Sequence, residues 1–90
     1  MNRFNPSHVV ATPGVLAALE ASGELLLNYL QRHLSSDWGD VTPEDAQENE
    51  LSLKHGWRLL SAYTLKSSTK IWVITEADRS STCVLLPEEY

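Results

Sequence analysis

The sequence predicts an α+β domain: three N-terminal helices followed by a three-stranded antiparallel β-meander. Three observations lead there. Two Thr-Pro pairs, Thr12-Pro13 and Thr42-Pro43, each open a stretch of helical character that a glycine closes. Between them, leucines recur at helical spacing. After Gly56 the apolar period changes from 3.6 to 2, and β-branched and aromatic residues dominate.

Residues 1–11 read as an irregular arm, because Asn5-Pro6-Ser7 is turn chemistry and little periodicity follows. Thr12 can accept from the free amides of the first helix. Pro13 loses no hydrogen bond at its first position. Val15, Leu16 and Leu19 supply an apolar side, and Gly23 supplies the left-handed stop. The second helix, over 24–34, carries Leu26, Leu27, Leu30 and Leu34 with Tyr29 on one side, and Asn28, Gln31 and Arg32 on the other. The third helix, over 43–55, has acids in its first turn, Lys54 and His55 in its last, and Gly56 as its stop. Its apolar side holds only Ala46, Leu51 and Leu53, so it should lie on the surface. Strands are expected over 57–65, 70–76 and 82–86, joined by short turns and ended by Pro87. Residues 12–90 therefore read as a single domain, with the first two helices covering one sheet face.

Composition excludes several classes. The 90 residues hold one Cys, so no disulfide forms within the chain. No apolar run approaches the ~20 residues of a membrane span, and the short run Val9-Val10-Ala11 is too brief for a signal peptide. Cytosolic residence, with Cys83 reduced, is the simplest expectation. The formal charge of −5 opposes phosphate binding. It is also one-sided: residues 1–50 hold eight acids and two bases, residues 51–90 four acids and five bases.

The stretch Asp37-Trp38-Gly39-Asp40, the run Leu59-Leu60-Ser61-Ala62-Tyr63 and the C-terminal runs from Ile71 to Arg79 and from Leu85 to Tyr90 together resemble a family of short bacterial proteins. These proteins are found on plasmids and integrative elements of proteobacteria and are called plasmid-related. The resemblance covers most of the chain from Ala11 to Tyr90. It implies a mobile-element setting in the bacterial cytosol and carries no reaction with it.

The residues themselves favour contact over catalysis. Asp37, Asp40, Glu44, Asp45, Glu48 and Glu50 are half of all acids, with no Lys or Arg among them. Such a surface steers a basic protein partner. Trp38 beside it is the expected aromatic anchor, which makes Asp37, Trp38, Asp40, Glu44, Asp45 and Glu48 the candidate binding residues. The bland alternative is a solvated helix with Trp38 capping the core. The competing class is a small metal-assisted hydrolase or nuclease, using His33, Asp37 and Asp40 as ligands or Glu76 and Asp78 as acid and base. No cofactor is expected. Arg79 should pair with a nearby acid in its turn, and Cys83 has no base placed beside it. Arg58, Lys66, Lys70 and Arg79 would serve nucleic acid only if they shared an exposed face with Trp57, Tyr63 or Trp72. Both faces of the 70–76 strand are apolar, so the second face should be covered by the third helix and the arm, or by another subunit in a homodimer through the sheet.

Overall fold

The first and last strands of the chain are neighbours. In the computed structural model, which describes residues 2–90, β1 (His8–Ala11) pairs in parallel with β4 (Ser81–Leu85). Between them run α1 (Pro13–Ser22), α2 (Leu26–Leu34), α3 (Pro43–His55), β2 (Leu59–Thr64) and β3 (Lys70–Thr75). A short 3-10 turn, Pro87–Glu89, follows β4. The sheet order is β1-β4-β3-β2. The expected three-stranded antiparallel meander is therefore a four-stranded mixed sheet, and residues 8–11 of the supposed arm are its fourth strand. The reason is non-local. Val9 and Val10 favour extended backbone, but their partners, Thr82 and Cys83, lie at the far end of the sequence. Met1, the first residue of that arm, lies outside the described residues.

The helix signals act as chemistry dictates. Thr12 and Thr42 accept from the amides of Val15 and Asp45, and Gly23 and Gly56 end α1 and α3 in left-handed conformation at φ 70° and 76°. α2 starts at Leu26 rather than at residue 24. Glu24 is kept out of the helix because its carboxylate accepts from Ser22, from Tyr29 and from the Lys66 amide. These bonds hold its carboxyl below the usual range, and burial beside it pushes Tyr29 up to about 12. Residue 57 stays outside β2, since the chain must first leave the Gly56 turn.

Alternation sorts the sheet into two faces. The inner face presents Leu59, Ser61 and Tyr63 from β2, Ile71, Val73 and Thr75 from β3, and Thr82 and Val84 from β4, all buried. Val15 and Leu19 of α1 and Tyr29 of α2 pack there. The outer face presents Leu60, Ala62, Trp72, Ile74, Cys83 and Leu85. The third helix borders it at Leu60, and Ile74 and Leu85 are buried, but the arm takes no part, contrary to expectation. α3 sits at the edge of β2, and the arm lies on the inner side, where Phe4 meets His33 and the Pro6 carbonyl meets Thr82. Tyr90 reaches across, with its ring 5.8 Å from that of Trp72 and its hydroxyl 2.5 Å from Arg58 Nη1.

Candidate functional site

The edge of β2 is closed by side chain and loop, not by a strand. Asn49 of α3 is buried. Its Nδ2 donates to the Leu60 carbonyl at 2.7 Å, and its Oδ1 accepts from the Leu60 amide at 3.1 Å. One carboxamide thus substitutes for a neighbouring backbone. Two residues on, the Ala62 amide donates to the Trp38 carbonyl at 3.0 Å, and the Asp40 amide donates to the Ala62 carbonyl at 2.6 Å. Those contacts explain the thin apolar side of α3: its buried residues, Asn49 and Ser52, are polar.

Gly39 makes the loop contact practicable. It has φ 77°, and a Cβ there would run into the Ala62 carbonyl and the Tyr63 ring. Gly39→Ala is expected to cost at least about 2 kcal/mol, from left-handed backbone and overlap together. Urea unfolding checks it, and an unchanged midpoint would contradict this packing.

This edge arrangement tips the outer surface of α3 toward solvent beside the outer sheet face. Two hollows of about 360 and 220 Å³ lie there and share Asp45 and Leu60. Leu60, Ala62 and Trp72 form the apolar floor, and Asp40, Asp45 and Glu48 stand on the rim. Trp57 borders the larger hollow, 48% exposed, stacked on His55 at 4.9 Å.

The six clustered acids divide in two. Asp37 is held by Arg32 at 2.7 Å, which draws its carboxyl below the usual carboxylate range, and Glu50 is held by Arg3 at 2.9 Å. Among the described residues, Asp40, Glu44, Asp45 and Glu48 have no Lys or Arg within ion-pair distance. All four are exposed, and Asp40 also accepts from Thr64 at 2.8 Å.

Trp38 is not a surface anchor. It is 6% exposed, its ring stands edge-on to His33 at 5.7 Å, and its Nε1 donates to Glu50 at 3.1 Å. The exposed aromatic beside the acids is Trp57, although alternation along an expected strand from residue 57 puts it on one face with Leu59, which is buried. Gly56 immediately before it was the available signal, because a left-handed cap reorients the next side chain.

His33 has no exposure and neither ring nitrogen is free. Nδ1 lies 2.5 Å from Ser61 Oγ and Nε2 lies 2.9 Å from Thr75 Oγ1. Thr75 Oγ1 lies 2.8 Å from Thr82 Oγ1, and Thr82 donates to the Pro6 carbonyl at 3.0 Å. That last acceptor fixes the direction along the threonines: Thr82 accepts from Thr75, and Thr75 accepts from Nε2–H. Burial, with the charge of Arg79, pushes the ring's pKa down to about 4, so near neutral pH the ring is uncharged and Nδ1 accepts from Ser61. A metal reading through His33, Asp37 and Asp40 finds no geometry: both nitrogens are committed, Asp37 faces Arg32, and no group of three or more His, Cys, Asp or Glu converges among the described residues.

The other chemical candidates are similarly occupied. Among the described residues Arg79 pairs with no acid. Its guanidinium donates to the carbonyls of Ser52, Trp57, Glu76 and Ala77, tying the β3–β4 turn to the C-terminal end of α3, where the helix dipole favours a cation. Asp78 accepts from the Ser80 amide within its turn, as its type suggests. Arg58 is engaged by Tyr90. Of the four bases, Arg79 is spent on these carbonyls, while Arg58 and Lys70 border the two hollows beside Trp57 and Trp72. Cys83 is half-buried, and burial with Glu89 and Glu76 nearby raises its thiol. No helix among the described residues is long and apolar enough to cross a membrane.

No protein-family model, curated protein or solved structure matches this chain.

Proposed function

We propose that this chain is a small non-enzymatic protein-binding module of a mobile genetic element, working in the bacterial cytosol on a basic protein partner. One observation carries the reading: three acids without an ion-pair partner among the described residues, Asp40, Asp45 and Glu48, line an apolar-floored groove between α3 and the outer sheet face, and Glu44 lies exposed on the same helix. The groove has the two parts that contact recognition needs. Asp40, Glu44, Asp45 and Glu48 accelerate encounter with a positive surface. Trp57 with the Leu60 and Trp72 floor offers area to desolvate once the partner is seated. The partner is a segment carrying Lys or Arg on either side of an apolar residue. The reactive residue types support this reading by being occupied elsewhere, His33 and Arg79 most clearly.

The test has two stages. Affinity capture from host cytosol supplies a partner, and surface plasmon resonance then measures it against charge and salt. Reversing Glu44, Asp45 and Glu48 to Lys together should slow association about ten-fold or more, and added salt should slow the wild type similarly. Trp57→Ala should accelerate dissociation while leaving association nearly unchanged. Binding indifferent to both salt and the triple reversal would overturn the proposal.

A further inference from the structure

We propose that residues 2–7 form a detachable strap over a latent polar cleft walled by His33, Ser61, Thr75 and Thr82. The proposal is independent of the acidic groove. Its first ground is the composition of the covered site. These four side chains have 2% exposure or less, and all are polar, in a place where apolar residues would pack at no hydrogen-bonding cost. Three hydrogen bonds join these side chains to one another, and the row ends on the Pro6 carbonyl, which belongs to the strap and accepts from Thr82. Lifting the strap would leave the Thr82 hydroxyl for water and open the row behind it.

The second ground is how the strap is held. Phe4 stands edge-on to His33 at 5.3 Å and is itself only half-buried. The Arg3 amide donates to the Leu34 carbonyl at 2.7 Å, and its guanidinium pairs with Glu50, both side chains about half exposed at 48% and 46%. No regular element includes residues 2–7, and sheet pairing begins only at His8. Ser7, at φ 58°, stands at the junction, a left-handed position that a serine seldom takes and where the strap can pivot against the anchored strand. The opposite wall is fixed by contrast: Trp38 is locked by Glu50 and by the backbone pairing around Gly39. The charged groups facing the cleft are Arg79, 6.0 Å above the Phe4 ring, and Glu50 beyond Trp38.

Diethyl pyrocarbonate labelling of the full chain at pH 7, mapped by mass spectrometry, tests the strap. His8 and His55 are exposed and serve as internal references. His33 labelling in the wild type should be slow but nearly independent of low urea, the signature of local opening. Replacing Arg3→Ala and Phe4→Ala together should raise the His33 rate about ten-fold or more without moving the reference rates. Labelling of His33 with the full urea dependence of global unfolding would overturn the proposal, as would an unchanged rate in a folded double variant. Should the double variant not fold, the urea dependence of the wild type decides alone: flat supports the strap and steep overturns it.

Discussion

Asn49→Ala should destabilise the domain by about 2–3 kcal/mol, because it orphans an amide and a carbonyl of one half-buried strand residue at once. For a domain of this size that lowers the melting temperature by about ten degrees or more. The wild-type carboxamide satisfies both Leu60 groups, and no other described side chain or backbone group bonds them from the α3 side. Asn49→Asp should be at least as damaging, since it removes the donor and sets a carboxylate against the Leu60 carbonyl. Asn49→Leu separates this account from simple packing. If α3 docked through apolar contact alone, leucine would be tolerated; the hydrogen-bond account requires it to fail. A Leu variant melting with the wild type would refute the edge-closure argument.

Acid should weaken the fold through His33 before the carboxylates contribute. The ring's pKa is about 4 in the folded chain, below its ordinary value of 6.5. Between those values the unfolded chain binds the extra proton and the folded chain does not, so stability rises with pH across this window. It is fully present above pH 6.5 and falls as pH drops toward 4, by about 3 kcal/mol in total. Asp37, Glu24, Asp78 and Glu89 are held below their usual range, and they act in the same direction only at lower pH. Urea midpoints at pH 7, 6 and 5 isolate the histidine. His33→Gln keeps polar atoms in the site and should flatten the dependence, while lowering stability at pH 7. A wild type equally stable at pH 7 and 5 would show that the ring can accept its proton in place.

Local chemistry was legible in the sequence and long-range pairing was not. Thr12-Pro13 with Gly23, and Thr42-Pro43 with Gly56, announce α1 and α3 because capping involves residues within one turn of each other. The alternation from Leu59 to Tyr63 likewise gives the buried face of β2 correctly. β1 escaped because four residues, His8–Ala11, show no usable period, and what makes them a strand is β4. The acidic segment reads from composition, but the pairings that divide it come from Arg3 and Arg32, which approach through the fold. Trp38 looked like a loop residue free to bind. The loop that carries it is itself an edge of the sheet, bridged at Gly39 to Ala62, and this carries the indole inward. His33 sat on the margin of the leucine stripe in the sequence. In the fold Leu27 is turned out at 57% exposure, and the line Leu26–Tyr29–His33 faces the sheet instead.

The parallel pairing of β1 with β4 also governs when the protein can form. Thr82, Cys83 and Val84 must be available before Val9, Val10 and Ala11 have anything to pair with. During synthesis, helices can appear as soon as they emerge, but the strand made first waits for the strand made last. A nascent chain halted before residue 81 would hold Val9 and Val10 unpaired, a sticky edge that a chaperone would recognise, and protease resistance should arrive in a single late step rather than grow with length.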